Sequence, residues 1–315
     1  MKDETMTQKA SRPSEPLNIS RYKHFQKYTG LYFIMIWIVG FFLFQLYPFV
    51  ASFVYSFTDF NIFGKPSFIG LKNYIRLFTF DPDFKKSITV TCLYALMEVP
   101  GKLLFALIVA IILNQKVRGV NAFRTIYYLP SILGGSVSIA ALWKLMFMRD
   151  GIINNLIGLI GIPAIDWLGS PKVALITISL LQIWQFGSAM VLFLAALKQI
   201  PEELYESASI EGASSFRKFR SITLPMITPI IFFNLIMQTI NALQNFTSAF
   251  IITKGGPLKS TYLIGLKLYN EGFNNFKMGY ASAISWVLFT FILAFTILLF
   301  KTSNTWVFYQ DGEKF

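Results

Sequence analysis

Apolar residues run along this chain in long stretches. Six of them are long enough to cross a bilayer as a helix, which takes about 20 mostly apolar residues: 31–57, 88–113, 125–148, 173–197, 225–252 and 281–300. Four of the six contain no Asp, Glu, Lys or Arg; the second holds Glu98 and Lys102, and the third Lys144. Residues 151–169 are also apolar, but Asn154, Asn155, Pro163 and Asp166 interrupt them. That segment predicts a short helix at the membrane surface, not a seventh span. The expected fold is all-α: a polytopic membrane protein whose six transmembrane helices fill 31–300, with polar tails over 1–30 and 301–315.

Composition agrees. Of 315 residues, 54% are hydrophobic and only 14% charged, against roughly 25% charged in an ordinary soluble domain. So few charges cannot cover a water-facing surface, and so apolar a chain is not disordered. The net charge of +12 would suggest a nucleic-acid footprint in a soluble protein. Six spans exclude that role, and much of the charge lies in the connecting segments and the basic tail (Lys2, Lys9, Arg12, Arg21, Lys23, Lys27). The first apolar run is too long for a cleaved signal peptide and reads as an uncleaved span with its tail held inside. Inside segments then hold 15 Lys/Arg against 11 outside, which favours N-in and C-in. With one cysteine, Cys92, and one histidine, His24 in the tail, neither a disulfide nor a multi-cysteine metal site is expected.

The most informative segment is the 198–224 loop between spans four and five. Pro201 with Glu202 and Glu203 suits a helix start, and Leu204, Ala208 and Ile210 give that helix an apolar side. Gly212 breaks it, a second short helix over about 213–221 comes next, and Pro225 opens span five. From the residues alone this is a compact amphipathic pair or an ordinary solvated loop.

A resemblance favours the first. Glu206-Ser207-Ala208, three residues, Gly212, nine residues, then Ile222-x-Leu224-Pro225 resembles the "EAA" signature of binding-protein-dependent ABC importer permeases, with Ser207 in place of an alanine. Further fragments follow the sugar-importer branch (MalF/UgpA-like) in order: Tyr47-Pro48, Tyr55 to Asp59, Gly70 to Tyr74, Arg118-Gly119 to Phe123-Arg124, Leu129-Pro130, Thr253 to Pro257 and Gly279 to Ala283. Lys254 stands where the family usually has a third glycine. The resemblance implies a type I ABC importer permease in a bacterial or archaeal cell membrane. It implies a heterodimer with a second, homologous permease, two ATP-binding subunits, an extracytoplasmic solute-binding protein and a carbohydrate cargo, an oligosaccharide. By the same resemblance the 198–224 loop is the coupling helix. Glu206 would meet a basic residue of the ATPase, Ala208 and Gly212 would allow close approach, and Leu224 and Pro225 would anchor the loop. The sequence has no G-x-x-x-x-G-K-[ST] loop, so ATP and Mg would be used by the partner ATPase and no cofactor bound here.

Polar side chains inside a bilayer normally face a bundle interior or a watery cavity. Asn234, Gln238, Asn241 and Asn245 recur at steps of four, three and four, which predicts one helical face; Ser248 continues the row and Gln244 lies beside it. Uncharged amides both donate and accept hydrogen bonds and suit a neutral polyol path, to which Gln182 and Gln185, flanking Trp184, could add. The same amides could instead bond between helices. Glu98 and Lys102, spaced i,i+4, read as an intrahelical pair, with Pro100 and Gly101 kinking or breaking span two. A permease for glycerol phosphates or acidic sugars, and a passive polyol channel, stay open as alternatives.

Overall fold

The computed structural model describes residues 33–115 and 119–308. The tail over 1–30, Arg118 and the end of the 301–315 tail lie outside the described residues. The described chain is helical, with no strand among its residues. It forms two compact units, one ending at Ser52 and the other beginning at Phe53. The first is part of α1 (Phe33–Ser56), most of whose side chains up to Ser52 are exposed, as suits a rod in lipid.

In the second unit, α2 (Lys72–Thr79) leads into α3 (Pro82–Asn114), which packs against most of the later helices. Asp81 starts α3: its carboxylate accepts from the Phe84 N–H at 2.9 Å and Pro82 takes the first turn, the arrangement that satisfies free helix-start N–H groups. Ser87, Thr91, Tyr94, Glu98, Lys102, Ala106, Ala110 and Leu113 form its buried stripe, while Leu96, Leu104 and Ile108 face outward. The helix runs through Pro100 without the predicted break.

Spans three, four and five depart from the expected straight helices. The stretch expected as span three is two helices, α4 (Val120–Leu133) and α5 (Val137–Met146), bent by 104°. The stretch expected as span four is also two helices, α7 (Ala174–Trp184) and α8 (Gly187–Gln199), bent by 46°. The second break is held from α4. The Ser131 hydroxyl donates to the Gln185 carbonyl at 3.0 Å and accepts from the Ser188 N–H at 3.1 Å, so backbone groups at the break find partners, as a membrane interior requires. Gly187 sits against the Tyr127 carbonyl and the Tyr128 Cα with no room for a side chain. Span five ends as a helix at Leu243, and a one-turn π segment lies beyond it at Ala249–Thr253.

Between α5 and α7 only Ile152–Gly158 (α6) is helical within the predicted 151–169 surface helix. Asn154, read from the sequence as an interruption, organises the rest: it donates to the Arg149 and Ile165 carbonyls and accepts from Ile165 N–H and Trp167 Nε1. The last helices are α11 (Ile264–Tyr269) and α12 (Met278–Trp306). With α9 (Glu202–Ile210) and α10 (Ser215–Leu243), they complete the bundle.

Candidate functional site

The loop residues form a braced hairpin at one end of the bundle. Helix α9 carries Glu206, Ser207 and Ala208 and ends at Gly212, whose φ of +77° is a conformation only glycine adopts freely. The chain is closed there by the Ala213 N–H donating to the Ala208 carbonyl at 2.9 Å. Ser214 then caps α10 by accepting from the Arg217 N–H. The second short helix is not separate, which corrects the expectation from the sequence. It is the first turn of α10, and a π turn at Phe219–Thr223 lets the helix pass through Pro225, which has no N–H to give. Ile222, Leu224 and Pro225 are half-buried, and Ile222 packs with Leu197, Ile200 and Ile227.

Two contacts tie α9 to α10: Tyr205 Oη to Thr223 Oγ1 at 2.8 Å and Lys218 Nζ to Ser209 Oγ at 2.6 Å. Neither tyrosine nor threonine belongs to the spacing pattern, so no motif points to them. Of the apolar side of α9, Leu204 and Ile210 face outward and Ala208 is half-buried. Ile210 is 89% exposed and Phe216, across the turn, 72%. Glu206, Ser207 and Gly212 are exposed beside them.

The amide row is only partly continuous. Asn234 and Gln238 are buried, Asn241 and Gln244 exposed and Asn245 half-buried. Asn245 lies past the end of α10, so it leaves the predicted helical face. It donates to the Tyr94 hydroxyl at 3.0 Å and accepts from the Ser248 hydroxyl at 2.5 Å, fastening the broken span to α3. The Asn234 amide donates back to the Ile230 carbonyl. The structure brings Gln182, Trp184 and Gln185 together at the α7–α8 break. Trp184 is tilted against Trp143 at 5.9 Å, and the Gln185 carboxamide lies over Gly134. Among the described residues no hydrogen bond joins them to the α10 amides.

At the other end of α3 a charge cluster joins four elements. Lys267, 1% exposed, lies 2.7 Å from Asp81 and 3.2 Å from Glu271, while the Tyr280 hydroxyl donates to Asp81 at 2.5 Å. Burial alone would raise the Asp81 pKa, but hydrogen bonds from Lys267 and Tyr280 outweigh it and hold the carboxyl below its ordinary value. Burial likewise opposes the Lys267 charge, and Asp81 and Glu271 outweigh it, raising its pKa. The fragments that carried the resemblance converge close by. Asn73 donates to the Ser56 and Thr58 carbonyls, Tyr74 donates to Ser56 Oγ, and the Gly279 N–H donates to the Phe60 carbonyl. Lys254 takes φ +52°, a left-handed conformation that glycine adopts at no steric cost and that accounts for the glycine usual in the family.

A helical bundle with several helices long and apolar enough to cross a bilayer defines a multi-pass membrane protein. Residues 82–308 match the family described as "Binding-protein-dependent transport system inner membrane component", and the chain belongs to it. It is 48% identical to the probable ABC transporter permease protein YesP of Bacillus subtilis (strain 168), over 91% of this chain and 94% of that one. It is 33% identical to the trehalose/maltose transport system permease protein MalF of Thermococcus litoralis, over 90% of this chain and 97% of that one. Its fold is shared with a bacterial alginate ABC transporter solved in complex with alginate pentasaccharide-bound periplasmic protein (TM-score 0.77, 22% identity, 90% of this chain and 96% of that one).

Proposed function

We propose that this chain is one permease subunit of a carbohydrate importer that works by alternating access, its ends facing the cytoplasm and its coupling loop docked on a separate ATPase. The exposed tip of the loop carries the reading. Ile210 and Phe216 expose two large apolar side chains side by side with Glu206 and Ser207, a mixed apolar and acidic tip that a partner groove would cover. Leu224 and Pro225 join that tip to span five. Glu206 pairs with a basic groove residue, and Ala208 and Gly212 let the two backbones approach.

The assembly contains a second, homologous permease, two ATP-binding subunits that use ATP and Mg, and an extracytoplasmic solute-binding protein. The basic N-terminal tail supports the inside orientation. Cargo passes the amides of span five, Asn234, Gln238, Asn241 and Gln244, with Gln182, Gln185 and Trp184 contributing at the α7–α8 break. Asn245 shapes this path through Tyr94. Carbohydrate is supported by the uncharged, hydrogen-bonding character of that row and by the sugars in the names of its relatives.

The test is uptake in proteoliposomes holding all subunits, with binding protein outside and ATP within. Glu206→Ala or Phe216→Ala should cut ATP-driven uptake by about ten-fold or more and weaken capture of the ATPase. Full uptake in both variants would sink the docking assignment.

A further inference from the structure

Three buried acceptor atoms on two packed helices have no partner: Glu98 Oε2 on α3, and Asn234 Oδ1 and Gln238 Oε1 on α10. Their residues are 1%, 1% and 6% exposed. An unpaired buried polar atom is costly, and an unpaired buried carboxylate oxygen more so. Two groups act on Glu98, the Tyr94 hydroxyl and Lys102, and both ride on α3 with it. The Lys102 ammonium stands 3.9 Å from Glu98 Oε1, a loose ion pair. Relative motion of α3 and α10 would leave that pair intact and change only what faces it.

The helices run antiparallel. Tyr94 meets Asn245, and a 220 Å³ cavity brings Leu96, Val99 and Pro100 alongside Leu235 and Thr239. Val99 and Pro100 lie beside Leu235 and Thr239 in that cavity, which places Glu98 and Lys102 of α3 in the same stretch as Gln238 of α10, with Asn234 about one turn further on. All three orphans are acceptors, so the group that completes them must donate. Lys102, within the same stretch, can only donate and needs an oxygen lone pair.

We infer that Glu98 and Lys102 are specificity-determining residues of the transport path: when α3 and α10 part, they and the Asn234 and Gln238 amides engage the hydroxyls of an uncharged sugar and disfavour an anionic one. A vicinal diol supplies both needs, O–H groups for the orphan acceptors and an oxygen for the ammonium. A carboxylated sugar would bring a second negative charge to Glu98. The inference rests on the reading of the span-five amides as the path.

The experiment uses the complete complex with its binding protein in proteoliposomes. It offers a mixture of neutral disaccharides (maltose, trehalose, lactose) and a diuronate, with lumen contents read by mass spectrometry. Wild type should accumulate a neutral sugar over the diuronate. Glu98→Leu should lower neutral uptake by about ten- to a hundred-fold, mainly through KM, while the complex still co-purifies with its ATPase. Glu98→Gln, which keeps an acceptor and removes the charge, should retain neutral uptake within about three-fold and raise the diuronate share. Unchanged neutral uptake in Glu98→Leu, or equal loss of both sugar classes at constant KM, would overturn the inference. Should Glu98→Leu not assemble, the sugar ratio of Glu98→Gln decides: an unchanged ratio overturns it. A wild-type complex that hydrolyses ATP but imports no sugar would overturn the carbohydrate reading instead.

Discussion

The Lys267 ammonium lies 2.7 Å from Asp81 Oδ2 and is almost completely buried, so one ion pair joins the start of α3 to the segment before α12. Removing the lysine strands Asp81 and Glu271 together. Breaking a buried pair from one side costs about 3 kcal/mol or more, and Lys267→Met should lower the melting temperature of the purified complex by several degrees.

The pH dependence of that pair has a definite sign. Asp81 has a lowered pKa, so its contribution is present above its ordinary 3.8 and is lost as pH falls through the depressed folded value. Lys267 has a raised pKa, so its contribution is present below its ordinary 10.5 and is lost as pH rises through the folded value. The melting difference between wild type and Lys267→Met should stay flat from about pH 5 to 9 and shrink at both extremes. A difference that persists undiminished at both extremes would contradict the assignment.

Gly212 at φ +77° has open space around it, so a methyl group there meets no neighbour and acts only through backbone strain, about 1–2 kcal/mol. Gly212→Ala should leave assembly of the transmembrane bundle intact and reduce ATP-driven uptake several-fold. Parallel measurement of far-UV dichroism and uptake separates the two.

The opposite cause applies at Gly187. A Cβ there would stand 2.6 Å from the Tyr127 carbonyl oxygen and 2.8 Å from Ser131 Oγ, forcing α4 and α8 apart. Overpacking of this kind costs about 1–3 kcal/mol. Gly187→Ala should depress yield and melting temperature, while Gly158→Ala, where nothing lies within 4 Å, should not.

Asn241 is exposed on α10 whereas Asn234 is buried. Asn241→Leu should therefore leave stability nearly unchanged and lower uptake at subsaturating cargo. A melting shift without a transport defect would move Asn241 from the path to the scaffold.

Much of the bundle was legible because lipid-facing helices write themselves as long apolar runs, and the loop because its motif is local and gapped at fixed spacing. The bends were not. Gly134-Gly135 and Gln185-Phe186 are weak breakers singly, and the second break is held by Ser131 reaching across from another helix. Pro225 misled for a related reason: a proline reads as a helix start, and only the π turn before it reveals a helix already under way. Asn245 left its predicted face because Tyr94, far away in sequence, offered it a partner. The Asp81–Lys267–Tyr280 cluster had no local signature, since its members are scattered along the chain.

Helix α10 spans Ser215–Leu243 without interruption, about 42 Å at 1.5 Å per residue. Its middle is clamped where Ile227 packs against Leu197 and Ile200. Measured from Ile227, Ser215 stands about 18 Å away on one side and Asn241 about 21 Å on the other. In the proposed transport cycle α10 is thus the one helix that joins the docking loop at one end to the span-five amides at the other.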